Sequence, residues 1–144
     1  MSAEQDSPRL FLYGSLLTGT RDRLINKQVR RLLRHAPIAT IQARLYNLGP
    51  YPGVVPSAAA TERVYGRVIN LAKPCLLRQL DRYEEYFIDE PAKSEFIRIL
   101  MPAQLLPSRK RFDCWVYVYN DDISGKQHIL SGDYVRYKRS RQRW

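Results

Sequence analysis

The chain has 144 residues and a mass of 16.9 kDa, which suits one domain with a real core and leaves little for a second. Hydrophobic residues at 44% and charged residues at 26% lie near globular averages and argue against a disordered chain, while the longest apolar runs, such as Leu10–Leu12 and Cys114 to Tyr119, fall far below the roughly 20 residues of a membrane helix. The net charge of +10 leaves a polyanion or acidic-surface contact open, and the two cysteines, Cys75 and Cys114, are too few for a disulfide framework or a paired-thiolate zinc site, so free thiols in a reducing cytoplasm are expected.

Residues 1–8 read as a flexible arm, polar and acidic where a signal peptide is basic and then apolar. Arg9 to Tyr13 reads as a strand that stops at Gly14-Ser15, a turn signal. From about Arg21 the apolar residues Ile25, Val29, Leu32, Leu33 and Ala36 keep helical spacing, with Arg30, Arg31 and Arg34 mostly off that stripe and Pro37 as the stop. Thr40 to Leu48 is predicted as a strand, Gly49-Pro50-Tyr51-Pro52-Gly53 as a constrained loop, and Val54-Val55 as a short strand. Val64 to Leu71 alternates and reads as a strand. Pro74 opens a helix to Glu84 or Glu85. Phe96 to Met101 and Cys114 to Tyr119 read as long strands, and Ile129 to Tyr137 as a last short one. About six strands with two helices do not alternate as in a doubly wound fold, so an α+β domain is expected over residues 9–135, its mixed sheet curled into a small barrel. Residues 136–144 form a basic C-terminal tail in which Arg136, Lys138, Arg139, Arg141 and Arg143 carry half of the net charge. That tail is either solvated and disordered or a contact for a polyanion.

Glu84 is the first candidate for chemistry. Seven residues separate it from Leu77, two helical turns less about 20°, so it projects over the face that Leu77 and Leu80 bury. Glu85 rotates to the wet side with Arg78, Asp81 and Arg82. A carboxyl on a core-facing stripe has a raised pKa, which suits a general base. If the helix stops earlier, the side chain turns to water instead. Tyr13-Gly14-Ser15-Leu16 is the second candidate. Gly14 permits a sharp bend whose successive N–H groups hold an anion, although an ordinary strand-to-helix turn has the same composition. Rival motifs are absent. The Gly14-to-Gly19 spacing lacks the Lys-Ser/Thr of a phosphate-binding loop, Ser15 lacks the glycines of a nucleophile elbow, and His35 and His128 stand without a partner pattern.

Taken in order, Leu10–Leu16, Leu45-Tyr46 with Tyr51-Pro52-Gly53, Val64-Tyr65-Gly66-Arg67-Val68, Leu80-Asp81-Arg82-Tyr83-Glu84-Glu85-Tyr86, Phe96-Ile97-Arg98, Trp115–Tyr119 and Ser131-Gly132-Asp133-Tyr134 resemble the gamma-glutamylcyclotransferase-like (AIG2-like) superfamily. The resemblance departs at Glu85, where glycine is frequent, and at Tyr134, where tryptophan is. It implies a small mixed β-barrel with two flanking helices and a reaction in which a γ-glutamyl amide is cut by its own α-amino group, releasing 5-oxoproline and a free amine. It places Glu84 as catalytic acid/base, needs no metal or cofactor, and makes a small γ-glutamyl compound the partner. Backbone N–H groups of Gly14, Ser15 and Leu16 then hold a carboxylate or oxyanion, Gly53 belongs to the site loop, and Tyr13 and Tyr119 are candidate walls. Arg98 is either a carboxylate partner or half of a structural salt bridge. The alternatives are a non-catalytic metabolite-binding module of the same fold and a polyanion-binding protein that uses its tail.

Overall fold

The computed structural model describes residues 8–14, 23–71, 74–84 and 89–141. Alternation along the first strand, β1 (Arg9–Leu12), sets the layering. Leu10 and Leu12 join one buried cluster and Phe11 and Tyr13 another, as a period of two requires. The Phe11 side is a barrel interior filled by Ile41, Ala43, Val64, Val68, Ala103, Cys114 and Val116. The Leu10 side is covered by two helices, α1 (Arg23–Leu33) through Ile25 and Val29, and α2 (Pro74–Tyr83) through Leu76 and Leu80. Each fully buried leucine here contributes about 1.5–3 kcal/mol of hydrophobic stabilisation.

The barrel closes through β2 (Ile38–Asn47), β4 (Arg63–Asn70), β1, β6 (Arg111–Tyr119) and β5 (Phe96–Leu105), with β5 returning to β2 at Ile41↔Ala103. Pairings are antiparallel except that of β1 with β6, where Leu10 faces Trp115. Two short strands, β3 (Pro52–Pro56) and β7 (Gln127–His128), pair with the far end of β2. Gly66 permits the close approach of β4 to the end of β1. A Cβ there would lie 2.2 Å from the Leu12 carbonyl oxygen and 2.6 Å from the Phe11 ring. Behind α1, Arg67 donates to the carbonyls of Leu33 and Ala36 at 3.2 and 2.8 Å and so satisfies the helix C-terminus.

The α+β barrel of the sequence reading is present, with a closed five-strand ring and two extra strands. Three details differ. β5 runs past Met101 through Pro102 to Leu105. Pro102 is tolerated because the pairing of β5 with β2 begins only at Ala103. Asp81, assigned above to the wet side of its helix, is buried. The last strand expected over Ile129 to Tyr137 is a turn and a third helix, α3 (Tyr134–Arg141). Gly132 at φ 70° reverses the chain, and the Asp133 carboxylate accepts from the Arg136 N–H at 3.1 Å as an N-cap. The basic residues 136, 138, 139 and 141 therefore stand on a helix, where Lys138 lies over Tyr134 and Arg141 over Tyr137. The expected helix start near Arg21 lies outside the described residues.

Candidate active site

Where β1 ends, the interior opens into a cavity of about 240 Å³. Its described wall is built from the end of β1 with Tyr13 and Gly14, Tyr51 and Pro52 at the start of β3, Tyr83 and Glu84 at the end of α2, Glu95 and Phe96 at the start of β5, and Tyr117 of β6. Five separate segments thus converge on one hollow.

Glu84 stands one residue beyond α2, yet its N–H still donates to the Leu80 carbonyl at 2.9 Å. The helical turn therefore carries on far enough to keep Glu84 over the face of Leu80, which is fully buried. The residue as a whole is partly buried, and its carboxyl lies deep among protein atoms. Burial, and secondarily the charge of Glu95, push that carboxyl up to about 7. Among the described residues no side chain hydrogen-bonds it. At neutral pH it is divided between acid and base forms.

A polar network fixes this end of α2. Asp81, one turn before Glu84, accepts Arg98 Nε at 2.8 Å on one oxygen and Arg98 Nη2 at 3.1 Å on the other. The Tyr117 hydroxyl donates to Asp81 at 2.6 Å, and the Tyr13 hydroxyl donates to the Tyr117 carbonyl at 2.6 Å. The Arg98 guanidinium also lies 4.3 Å from the centre of the Trp115 ring. A bidentate pair beneath a stacked indole is rigid, and it fastens α2 to β5 and β6. Burial, then the Glu84 charge, raise the Tyr13 hydroxyl well above its ordinary value, against a backbone hydrogen bond from Val54. Burial and Asp81 raise that of Tyr117. Both phenols stay neutral.

Gly14 is needed for close approach. A Cβ on it would meet Pro52 Cγ at 2.8 Å. Gly53 sits beside the hollow rather than on its wall, pressed between Leu48 and Tyr119, with a Cβ 2.7 Å from Leu48 Cδ1. Tyr119 stands behind Phe96 in an edge contact, with centroids 5.7 Å apart. Arg98 forms a salt bridge, its guanidinium paired with Asp81. Ser15 and Leu16 lie outside the described residues. The structure thus brings together Glu84, Tyr13 and Gly14. It adds four positions the sequence reading did not single out as site residues: Asp81, Tyr117, Tyr51 and Glu95, the last two joined by a hydrogen bond from the Tyr51 hydroxyl to the Glu95 carboxylate. Asp81 carried a signal in its spacing, three residues before Glu84 on the same helix. Glu95 carried none, because its place on the wall depends on a strand pairing.

Comparison with known proteins finds relatives in sequence and in fold. Residues 10–136 match the family described as gamma-glutamyl cyclotransferase, AIG2-like. A relative from Niallia circulans, a gamma-L-glutamyl-butirosin B gamma-glutamyl cyclotransferase, is 33% identical over 116 residues, covering 80% of this chain and 69% of its own. The fold is similar to that of YkqA from Bacillus subtilis, with a TM-score of 0.64 and 17% identity. The match covers 94% of this chain, which spans 42% of the length of YkqA. It is also similar to an AIG2-like protein from Mus musculus, with a TM-score of 0.57 and 20% identity over 82% of this chain and 81% of that one.

Proposed function

Because the chain belongs to the gamma-glutamyl cyclotransferase, AIG2-like family, we propose that it closes a γ-glutamyl amide on itself, with Glu84 moving the proton. The Glu84 carboxylate takes a proton from the substrate α-ammonium. The freed amine attacks the γ-carbonyl carbon, and the new C–N bond completes the five-membered ring of 5-oxoproline. The amide C–N bond then breaks, Glu84 returns its proton to the departing nitrogen, and the second proton, shed by the ring nitrogen as it becomes the lactam N–H, passes to the same amine, which leaves as an ammonium. Both nucleophile and electrophile lie in one molecule, so the protein's task is to hold a folded conformer and shield it from water. The bend at Gly14 supplies backbone donors for the carboxylate or the oxyanion. The single observation that supports this reading is the Glu84 carboxyl: raised to about 7, lining a hollow beside Gly14, and without a hydrogen-bond partner among the described side chains.

The test is release of 5-oxoproline from γ-glutamyl amides. Glu84→Gln is expected to lose roughly a hundredfold or more in turnover while keeping a saturable thermal shift with the same compounds. Turnover equal to the parent's would sink the mechanism. Binding without any product in the parent would favour the non-catalytic module.

We further propose a weak polyanion contact at α3, whose exposed Arg136, Arg139 and Arg141 stand on a short helix with no acid after Asp133.

A further inference from the structure

The cavity wall runs against the charge of the molecule. The chain carries +10, yet the described lining residues include two carboxylates, Glu84 and Glu95, and no lysine, arginine or histidine. The two acids stand on different elements. Glu84 is at the end of α2, whereas Glu95 immediately precedes β5, its carbonyl accepting the Asn120 N–H at 2.8 Å and its carboxylate accepting the Tyr51 hydroxyl. No described cation forms an ion pair with Glu95.

The surroundings of Glu95 are acidic and aromatic. The Asn120 N–H bonded to the Glu95 carbonyl brings Asp121 and Asp122, next in the chain, to the same edge of the molecule, where burial and then the charges of Asp121, Glu95 and Asp122 raise the Tyr119 hydroxyl. Tyr51, Tyr83 and Phe96 supply ring faces and edges along the same wall. Carboxylates beside aromatic rings in a partly desolvated hollow attract cations and repel anions.

We propose that Glu95 sets the charge preference for the leaving group, favouring γ-glutamyl amides whose departing amine carries a second, positively charged nitrogen. This rests on the cyclotransferase reading of the same cavity. In that reading the α-ammonium is committed to Glu84, because it must surrender its proton there. The γ-carbonyl lies between the α-ammonium and the departing amine, so the departing chain points away from Glu84. At about 240 Å³ the hollow is smaller than the roughly 300–1,000 Å³ of sites that enclose drug-sized molecules, so it takes the glutamyl group and leaves the far end of the departing chain at the rim. A cationic end meets Glu95 there, with Asp121 and Asp122 nearby. The carboxylate of a departing amino acid meets the same three negative charges and is disfavoured.

Three probes of matched length separate the charges: γ-glutamyl diaminobutane (cationic), γ-glutamyl butylamide (neutral) and γ-glutamyl aminobutyrate (anionic). For the parent protein, kcat/KM for 5-oxoproline release is expected to fall from cationic to neutral to anionic, roughly tenfold per step. In Glu95→Gln, which keeps the shape and the Tyr51 contact, the cationic-to-neutral ratio is expected to shrink roughly tenfold, and in Glu95→Lys the order reverses. Reading ratios cancels any change in Glu84 common to all three probes. Equal rates for the three probes, or an unchanged ratio in Glu95→Gln, would overturn the inference while leaving the cyclotransferase reading intact. The same series is read by saturable thermal shifts in Glu84→Gln. Charge-ordered binding without turnover in the parent would overturn the cyclotransferase reading and support the charge preference. Binding that ignores charge, or no binding of any probe, would overturn the preference.

Discussion

Two influences act on the Glu84 carboxyl, and they push the same way. Burial disfavours its ionised form, and the nearby Glu95 charge disfavours it again, so the folded protein holds this proton up to about 7 while an unfolded chain releases it near 4.5. Between those values the folded state binds more protons than the unfolded one, so stability falls as pH rises, and the loss is complete above about 7. A gap of this size corresponds to about 3 kcal/mol. Glu84→Gln removes the charge and with it the loss. The variant is therefore expected to melt about 5 °C or more above the parent near pH 8, and together with it near pH 4, by calorimetry at both. The same carboxyl must be ionised to accept a proton, so the parent's kcat/KM is expected to rise with pH through about 7. The gain in stability and the loss of turnover in one substitution separate a strained functional acid from a structural one.

At the scale of elements, the position of Glu84 depends on how α2 is fastened. Removing the Asp81 carboxylate takes both Asp81 hydrogen bonds from the Arg98 guanidinium, whose side chain is only 10% exposed. Asp81→Ala is expected to cost about 3–5 kcal/mol in urea unfolding and to lower kcat as the end of the helix loosens. Arg98→Lys is not expected to match the parent, since an ammonium cannot form both bonds at once. This fastening also marks where the sequence was readable. Helical period alone placed Leu77, Leu80 and Glu84 on one face, because their spacing is local. Asp81 is only about 60° round the helix from Glu84, but grouping it with Arg78, Arg82 and Glu85 turns it outward, because the groups that draw it inward, Arg98 and Tyr117, reach it through the barrel rather than along the helix. Spacing leaves Arg98 between two roles for the same reason. At α3, the tyrosines and valine of Tyr134–Tyr137 suited a strand as well as a helix. What decides is the Asp133 cap after the Gly132 reversal, a backbone feature that composition does not display. β5 was cut short at Pro102 because a proline reads as a stop unless the partner on its missing-donor side is known to begin later.

Over the whole molecule, the charge is sorted by region. The described cavity wall carries Glu84 and Glu95 and no cation, while α3 displays exposed Arg136, Arg139 and Arg141. Retention on immobilised heparin is expected to fall steeply with added salt and to drop further in the double variant Arg136→Glu, Arg139→Glu. Retention indifferent to salt would remove the polyanion contact. The barrel brings a second consequence through β2, whose ten residues pair with β3, β4, β5 and β7. Every one of these partners follows it in the chain. During synthesis Ile41 waits for Ala103, and Tyr46 for His128, while ribosomes add only about 5–20 residues per second. For several seconds the nascent polypeptide therefore exposes a long unsatisfied edge, the kind of surface that chaperones shield and neighbouring polysomes can cross-pair. A stop codon placed before Gln127 would be expected to send product to inclusion bodies rather than merely trim it.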